Sequence, residues 1–292
     1  MRDLSRLWSS HAFKWRRLTK YTVCVFMKGK NMTRTYVITG AASGIGATTM
    51  ELLKERGAIV YGVDIHNTSI NEDLSTPEGR KRAALEAVEM SGGRIDGVIA
   101  CAGLAHPIAK TVSVNYFGVT EFLTALLPTL SKSPFPRVAI TSSMASLMPN
   151  SPELVAAMLA DNETAAVAIA QELVDAGPES AGLIYGSTKR ALSRWVRREC
   201  IKPAWAGAGI PLNAVGPGIV ETPMVAEMIS TKEARAAIDT MVPMPLHHYL
   251  KPRQVSYLLA WLTAEENSHT TGQTIYIDGG SDASLRGDDV WK

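Results

Sequence analysis

Two residues four positions apart carry the clearest chemistry in this chain, the phenol of Tyr185 and the ammonium of Lys189, in the run Tyr185-Gly-Ser-Thr-Lys189. On a helix, this spacing places both side chains on one face, about one turn apart. A nearby ammonium favours the phenolate, so we expect the pKa of Tyr185 to fall below its usual value of about 10. Such a tyrosine beside a bound dinucleotide could exchange a proton with a substrate oxygen while hydride moves to or from carbon.

A glycine-rich turn offers a place for that dinucleotide. The run Tyr36-Val-Ile38 suits a buried parallel strand, and Gly40, Gly44 and Gly46 follow it before an apolar-faced helix begins. Glycines here remove the side chains that would keep the backbone away from a pyrophosphate, which would lie at the helix N-terminus. Such turns also serve plain chain reversal, but the flanking strand and helix favour a dinucleotide site.

An acidic residue at the end of the second expected strand helps to distinguish NAD from NADP as the cofactor. Residues 58–63 lead to Asp64, about 20 residues after the glycine turn, where a carboxylate can accept both hydroxyls of an adenosine ribose. The same charge would repel the 2′-phosphate of NADP, and residues 65–75 contain no Lys or Arg to attract it. We therefore expect NAD, although Asp64 could merely cap a turn. Asp73 and Leu74 could bracket the adenine or lie in a solvated loop.

Strands and helices alternate along the chain and would position these groups. The expected elements include strands at 95–103 and 137–142 and helices at 77–90 and 112–130. Ala102 and Gly103, at the end of one strand, are small enough to leave room for a ligand. The alternation predicts a Rossmann-like, doubly wound parallel sheet with helices on both faces, in one α/β domain at 32–292.

The composition limits the possible partners. The chain has 292 residues, of which 46% are hydrophobic and 20% charged, as is usual for a globular protein. Its net charge is +2, and residues 1–31 carry eight Lys/Arg and one Asp, or +7, which leaves 2 − 7 = −5 for the rest. We therefore expect no nucleic-acid partner. The basic extension at 1–31 resembles a targeting sequence in composition, but an upstream start codon or a disordered tail before Met32 is the favoured interpretation.

Cysteines and histidines give no sign of a metal or of an oxidising compartment. Cys24, Cys101 and Cys200 are odd in number and widely scattered, which fits a reducing, cytoplasmic location. His247 and His248 are adjacent and would point in different directions on any regular element, so we expect no metal site. No apolar run is long enough to cross a bilayer, and no membrane partner is expected.

Together these motifs resemble the short-chain dehydrogenase/reductase family over residues 33–280. The run Thr39-Gly40-Ala41-Ala42-Ser43-Gly44-Ile45-Gly46 is similar to the family's cofactor motif, and Tyr185-x-x-x-Lys189 is similar to its catalytic pair. The resemblance implies that Tyr185 is the general acid/base. It further implies that Lys189 lowers the pKa of Tyr185 and holds the nicotinamide ribose.

The same resemblance implies roles for four further residues. Ser143 would form a hydrogen bond with the substrate oxygen, and Asn115 would hold the water of a proton relay. The backbone near Val220 and the side chain of Thr222 would hold the carboxamide of the cofactor. A homodimer or homotetramer is also implied by the family.

Two features depart from the family pattern. The usual Asn-Asn-Ala-Gly is Ala100-Cys-Ala-Gly103 here, which removes a sheet-bracing Asn. Ser143 and Tyr185 are 42 positions apart, farther than in most members, because residues 151–182 form an Ala-rich insert with helical spacing. We expect this helical insert to alter the substrate cleft or the subunit contact. The combination most resembles the bacterial 3α-hydroxysteroid dehydrogenase/carbonyl reductase group.

Methionines flank the expected site on two segments of the chain. Flexible thioethers can line an adaptable apolar pocket, although methionine at helical spacing often belongs to the plain core. Contacts with substrate are assigned to Ser143, Met144, Met148, Tyr185, Met224 and Met228. Residues 224–250 would form a lid over the substrate.

These features predict an NAD(H)-dependent oxidoreductase that interconverts a secondary alcohol and a ketone. The expected substrates are bulky apolar small molecules such as hydroxysteroids. One alternative is a non-steroid secondary alcohol, terpenoid or aryl. Another is a nucleotide-sensing protein without turnover, but the intact set of Ser143, Tyr185 and Lys189 counts against it.

Overall fold

Seven parallel strands form one sheet in the computed structural model, which describes residues 33–290. A single compact unit begins at Arg34. The strands in chain order are β1 (Thr35–Thr39), β2 (Ile59–Asp64), β3 (Ile70–Asn71), β4 (Gly97–Ala100), β5 (Arg137–Thr141), β6 (Leu212–Pro217) and β7 (Thr274–Ile277).

Helices connect the strands and cover both faces of the sheet. They are α1 (Gly44–Glu55), α2 (Pro77–Met90), α3 (Lys110–Val112), α4 (Gly118–Leu130), α5 (Pro152–Leu159), α6 (Glu163–Asp175), α7 (Pro178–Ala181), α8 (Leu183–Glu199), α9 (Lys232–Met241), α10 (Pro252–Leu262) and α11 (Ser281–Arg286). Val37 of β1 is buried in one hydrophobic cluster, whereas its neighbours Tyr36 and Ile38 are buried in another. Successive side chains of a strand point to opposite faces, so both faces of the sheet are covered.

The strand order places a crevice beside β1. The sheet runs β3-β2-β1-β4-β5-β6-β7, so the chain builds outward from β1 in one direction and then crosses over to β4. In such sheets the loops after β1 and β4 lead to opposite faces, and ligands bind in the gap at the carboxyl ends of the strands. The predicted Rossmann-like, doubly wound parallel sheet in a single domain is confirmed.

The structure refines three of the expected elements. The polar loop after β2 contains the short strand β3, which pairs with β2 through Val63 and Ile70. The strand expected at 95–103 is limited to Gly97–Ala100, because the chain turns into the cleft after Ala100. The helix expected at 112–130 begins two residues earlier, and a π-helical turn at Ser113–Phe117 joins α3 to α4.

The helical insert is helical over most of its length. The helical spacing expected within 151–182 corresponds to α5 and α6, and the short α7 follows them. Helix α6 buries only its alanine side, through Ala166 and Ala170. The insert therefore packs as a thin layer next to α8 and the π-helical turn.

The segment at 224–250 folds as a loop whose two ends are joined. A parallel bridge connects Val220 and Leu250, and Leu250 donates its amide to the carbonyl of Ile219 at 2.9 Å. Between these ends lie helix α9 and two 3₁₀ turns. Its role as a lid stays a prediction.

The basic extension at 1–31 and Cys24 lie outside the described residues. Among residues 33–290, no helix is both long enough and apolar enough to cross a bilayer.

Candidate active site

Close backbone packing explains the glycines of the turn after β1. Gly40 has φ +68°, and a Cβ placed on it would lie 2.7 Å from the amide nitrogen of Ala102. A Cβ on Gly46 would lie only 2.1 Å from the carbonyl oxygen of Gly40. Any larger residue at either position would push the turn away from β4 or α1. The turn is therefore tight, and its backbone faces the cleft.

The N-terminus of α1 suits a phosphate. Ser43 is the residue before the helix, and its side chain does not cap the first-turn amides. The first turn contains no acidic residue, and Gly44 has φ +55° with the side chain of Thr222 next to it, 3.4 Å from where its Cβ would lie. Free amides and the helix dipole favour an anion at such a terminus. These residues fit the diphosphate of a dinucleotide.

The carboxylate of Asp64 is held in a fixed position at the end of β2. One of its oxygens accepts the amide of Ala42 at 3.0 Å, and the other accepts the amide of Ile65 at 2.8 Å. Because the amide of Ala42 belongs to the glycine turn, Asp64 lies directly beside the expected phosphate site. This placement fits a ribose hydroxyl acceptor.

Asp73 is less free than a solvated loop residue would be. Its carboxylate accepts the amide of Ser75 at 2.8 Å and forms an ion pair with Lys110 at 3.1 Å. Asp73, Leu74 and Lys110 all line the same cleft. The sequence left open whether Asp73 and Leu74 contact the adenine or lie in a solvated loop. The structure places both residues at the wall of the cleft.

Tyr185 and Lys189 share one face of α8 and both lie in the cleft. The ammonium of Lys189 is buried, donates to the carbonyl oxygen of Thr141 at 2.9 Å and lies 5.6 Å from the centroid of the Tyr185 ring. Burial lowers the pKa of Lys189 to about 8. Lys189 is thus anchored to the end of β5 by a backbone acceptor.

The pKa of Tyr185 is raised by the surrounding protein and not lowered as the sequence led us to expect. Burial raises the pKa of the phenol, and a hydrogen bond with Ser143 lowers it only in part. The expectation was wrong in this respect because it counted the charge of Lys189 and left out desolvation. The phenol keeps its proton at neutral pH in this environment.

Ser143 is the second residue after the end of β5 and lines the cleft. Its hydroxyl oxygen accepts the amide of Ala145 at 3.1 Å, which leaves its own proton available to donate. The preceding Ser142 bonds to Ser193 at 2.9 Å and to the carbonyl of Lys189 at 3.1 Å. Through Ser142, the end of β5 is fixed to α8, so Ser143 and Tyr185 are held next to each other.

Asn115 lies in the π-helical turn and is fully buried. Its side-chain oxygen accepts the amide of Leu104 at 2.7 Å, and its amide group donates to the carbonyl of Leu104 at 2.9 Å and to the hydroxyl of Thr188 at 3.1 Å. The side chain therefore braces the chain after β4 against α8. Asn115 does not line the cleft, and its assignment to a proton relay stays a prediction.

A cleft of about 370 Å³ gathers the residues assigned to the cofactor. Its lining includes Gly40, Ser43, Gly44, Ile45, Gly46, Asp64, Asp73, Leu74, Ala102, Gly103, Tyr185, Lys189, Val220 and Thr222. These residues come from the ends of five different strands and from α8. The structure therefore brings together at one edge of the sheet every residue that the sequence assigned to cofactor binding.

The residues assigned to substrate divide into two groups. Ser143, Tyr185 and Met224 line the cleft, whereas Met144, Met148 and Met228 do not. Met144 is buried in a small hydrophobic cluster under α9, and Met148 packs against that cluster. Met228 is 43% exposed at the surface. A substrate role for these three methionines stays a prediction.

Some residues of the site were not singled out from the sequence. Lys110 forms the ion pair across the cleft, and Cys101 accepts the hydroxyl proton of Thr141 at 3.1 Å, close to Lys189. Burial raises the pKa of the Cys101 thiol to about 11. Lys110 could have been found as the only charged residue at the start of the helix that carries Asn115.

Residues His247 and His248 lie away from this cleft. Both border a second cavity of about 730 Å³ near α9, and His247 has φ +56°. No group of three His, Cys, Asp or Glu side chains in residues 33–290 is placed to hold a metal ion.

The fold and the residues of the cleft together define a class of protein. Comparison with known sequences identifies this class. A family model described as enoyl-(acyl carrier protein) reductase matches residues 40–282. The chain belongs to the short-chain dehydrogenase/reductase family and is an oxidoreductase.

Particular relatives narrow the comparison. The chain is 36% identical over 255 residues to the 3-alpha-hydroxysteroid dehydrogenase/carbonyl reductase of Comamonas testosteroni, which covers 86% of this chain and 97% of that protein. The crystal structure of the 3-alpha-hydroxysteroid dehydrogenase from Pseudomonas sp. B-0831 complexed with NADH has a TM-score of 0.79 at 36% identity, covering 87% of this chain and 99% of that one. The 3-oxoacyl-[acyl-carrier-protein] reductase FabG of Thermotoga maritima is 27% identical over 270 residues, or 84% of this chain and 96% of that protein.

Proposed function

We propose that this protein is an NAD(H)-dependent oxidoreductase that interconverts a secondary alcohol and a ketone. The observation that supports this most directly is the single cleft shared by the glycine turn, Asp64, Ser143, Tyr185 and Lys189. A dinucleotide and a proton-transfer pair side by side are what a reversible hydride transfer requires.

Each of the three polar residues has a distinct task in the proposed reaction. Nicotinamide, when bound, supplies or accepts the hydride. Ser143 donates a hydrogen bond to the substrate oxygen, and Tyr185 gives that oxygen a proton during reduction and takes one during oxidation. The pKa of the phenol is raised by burial and lies above neutral pH, so Tyr185 carries the proton that carbonyl reduction needs. Lys189 places a cationic or amine group within reach of the ribose.

NAD is the proposed cofactor because of charge at the adenosine end of the cleft. The fixed carboxylate of Asp64 suits two ribose hydroxyls and repels a 2′-phosphate. Two cations near this end of the cleft are already paired, Lys110 with Asp73 and Arg82 with Glu72. The related Pseudomonas enzyme was crystallised with NADH, which agrees with this proposal.

Hydroxysteroids are the proposed substrates. The support comes from the two relatives at 36% identity, both named for 3-alpha-hydroxysteroid dehydrogenase activity, and from Met224 and Val225 at the open side of the cleft. Bulky apolar rings gain most from apolar walls of this kind. A terpenoid or aryl alcohol would need the same catalytic residues and is a defined outcome of the test.

The test is absorbance of reduced nicotinamide with purified protein, supplied with NAD or NADP and a panel of alcohols. The panel contains 3-hydroxysteroids, terpenoid alcohols and aryl alcohols, with the Tyr185→Phe variant as control. NAD-dependent steroid turnover that is lost in the variant would support the proposal. Faster turnover of small alcohols would replace the steroid assignment, and binding of NADH with no turnover of any alcohol would favour a nucleotide-sensing protein.

Location and assembly follow from the same proposal. We place the protein in the cytoplasm, where its scattered free cysteines would remain reduced. A homodimer or homotetramer is expected for an enzyme of this family. Light scattering coupled to size-exclusion chromatography would give the number of copies directly.

A further inference from the structure

One buried cation belongs to none of the roles described above. Arg80, in the first turns of α2, has only 1% of its side chain exposed. It lies on the same helix face as Ala83, Ala84 and Ala87, where the apolar side of α2 meets the core. A charged residue in such a position is costly unless all of its donors are paired.

The donors of Arg80 reach four separate parts of the fold. Its Nε donates to the carbonyl of Leu74 at 2.9 Å, and Nη2 donates to the carbonyls of Ser75 and Ser113 at 3.2 and 3.3 Å. Both Nη atoms bond to Glu163 at 2.6 and 2.7 Å, and Nη1 also bonds to Glu121 at 3.0 Å. One guanidinium thus joins the loop after β3, the π-helical turn, α4 and α6.

The loop after β3 is part of the cofactor cleft. Residues 73–75, here called the cofactor loop, include Asp73 and Leu74, which line the cleft next to Asp64. The loop also packs closely on α2, since a Cβ placed on Gly79 would lie 2.0 Å from the carbonyl oxygen of Asp73. Strand order puts this loop on the β2 side of the sheet, away from Ser143 at the end of β5. It would therefore contact the adenosine half of a dinucleotide.

Glu163 is the first residue of α6 and so belongs to the helical insert. Its two oxygens form a paired, charge-assisted contact with Arg80, the strongest type of hydrogen bond between side chains. Glu121, the second carboxylate, has 41% of its side chain exposed and touches only Nη1. The insert therefore supplies the main counter-charge of the residue that holds the cofactor loop.

We propose that Arg80 is a positioning residue through which Glu163 of the helical insert keeps the cofactor loop in its binding position. The insert then has a function in cofactor affinity, apart from any effect on the substrate side of the cleft. The proposal rests on the proposed function only in taking the cleft as a dinucleotide site. Without the Glu163 contact, Arg80 would retain only part of its anchoring, and the cofactor loop would sample positions that bind adenosine poorly.

The test compares Glu163→Gln with Glu172→Gln. Both variants remove one negative charge from α6, but Glu172 is exposed and lies outside the Arg80 cluster. If the binding position of the loop falls to about one tenth of the population, the dissociation constant of NADH rises about tenfold in Glu163→Gln. In Glu172→Gln it should stay within about twofold of the wild type.

ADP gives a readout that separates the adenosine half of the cleft from the nicotinamide half. It carries only the adenosine half, so its dissociation constant, measured by displacement of bound NADH, should rise by the same factor as the dissociation constant of NADH. The kcat at saturating NADH should fall much less than the affinity, because Ser143 and Tyr185 are on other strands and helices. Glu163→Asp, which keeps the charge on a shorter side chain, should recover part of the affinity.

Several outcomes would overturn the proposal. NADH and ADP affinities in Glu163→Gln within twofold of the wild type, with a lowered melting temperature, would show that the cluster serves stability alone. Equal losses in both Gln variants would show a general effect of charge. If the wild type binds NADH but oxidises no alcohol, the proposed reaction fails while these affinity comparisons still decide the role of Arg80. If the wild type binds neither NADH nor ADP, both proposals are wrong.

Discussion

The ammonium of Lys189 lies 5.6 Å from the centre of the Tyr185 ring and bonds instead to the backbone of Thr141, at 2.9 Å. The ammonium therefore lies over the ring of the phenol while its hydrogen bond goes to the end of β5. Burial disfavours the charged form of both residues, because it raises the pKa of Tyr185 and lowers the pKa of Lys189 to about 8. The acid form of Tyr185 is the one that this environment favours.

Tyr185→Phe should remove the proton donor while leaving the shape of the cleft almost unchanged. We expect kcat to fall by about 10²–10⁴, the usual contribution of a positioned acid or base. NADH affinity should fall much less than kcat, since Tyr185 is one of many residues that line the cofactor cleft. Absorbance assays and a fluorescence titration with NADH would measure the two quantities.

A control variant and the pH dependence of the wild type would complete the Tyr185→Phe experiment. Tyr257→Phe is a suitable control, because Tyr257 is half-exposed on α10 and is not among the residues that line the cleft. In the wild type, alcohol oxidation should rise with pH beyond neutrality, since Tyr185 must lose its proton before it can accept one. A Tyr185→Phe variant with more than a tenth of wild-type kcat would contradict the assignment of Tyr185 as the acid/base.

The pKa of Lys189 leads to a second prediction, on stability. Its value of about 8 in the folded chain lies below the usual 10.5, so between these pH values the unfolded chain holds a proton that the folded chain has lost. Stability therefore rises with pH across this window and is lost as pH falls towards 8. From pH 8 to 9 the gain should be about 1 kcal/mol, the full effect of one proton being about 1.4 kcal/mol per pH unit.

Urea unfolding of the wild type and Lys189→Met at pH 8 and 9 would check this. The rise should be absent in the variant, which has no proton to lose at this position. Above pH 9, Cys101 works in the opposite direction, because burial raises its pKa from 9.0 to about 11. A wild type and variant with the same pH dependence between 8 and 9 would mean that Lys189 titrates near its ordinary value.

Local patterns in the sequence were sufficient to predict most of the scaffold and to assign residues to a cofactor site that remains a prediction. The glycine turn, the carboxylate at Asp64 and the Tyr185–Lys189 pair each depend on residues that are close together in the chain. Their meeting at one edge of the sheet follows from the rule that parallel strands present their carboxyl ends together. For this reason, the cofactor residues could be assigned before any contact was known.

Contacts between distant parts of the chain could not be predicted in this way. Arg80 and Glu163 are 83 positions apart, and no local pattern indicates that they pair. Even so, a charge within the alanine face of α2 is a signal that a partner must exist. Met144 had a similar ambiguity, because methionine serves equally well in a pocket or in the core, and only tertiary packing decides between them.

Asp64→Asn should relax the preference for NAD, which is the third prediction. The amide keeps the size of the side chain and can still accept the amide of Ala42, but it no longer repels a 2′-phosphate. We expect the ratio of kcat/KM for NAD over NADP to fall at least about tenfold, or about 1.4 kcal/mol. Initial rates with both cofactors at one alcohol concentration would measure the ratio.

A neighbouring carboxylate provides the control for this change. Glu72 also lines the cleft, but its carboxylate is paired with Arg82 through two hydrogen bonds of 2.7 and 2.8 Å. Glu72→Gln removes the same charge from the same end of the cleft and should shift the ratio much less. If both variants shift the ratio equally, the preference depends on the overall charge of the cleft and not on Asp64.

Gly46→Ala tests how closely the glycine turn must pack, and this is the fourth prediction. A Cβ there would lie 2.1 Å from the carbonyl oxygen of Gly40, so the turn must move away from α1 to accommodate it. We expect a loss of stability of about 1–3 kcal/mol together with a marked loss of NADH affinity. Gly207→Ala is the matched control, because its nearest contact would be an ordinary 3.5 Å to Pro203 and Gly207 is not among the residues that line the cleft. Urea unfolding and NADH titration on both variants would separate the effects, and normal NADH affinity in Gly46→Ala would mean that the turn does not hold the cofactor.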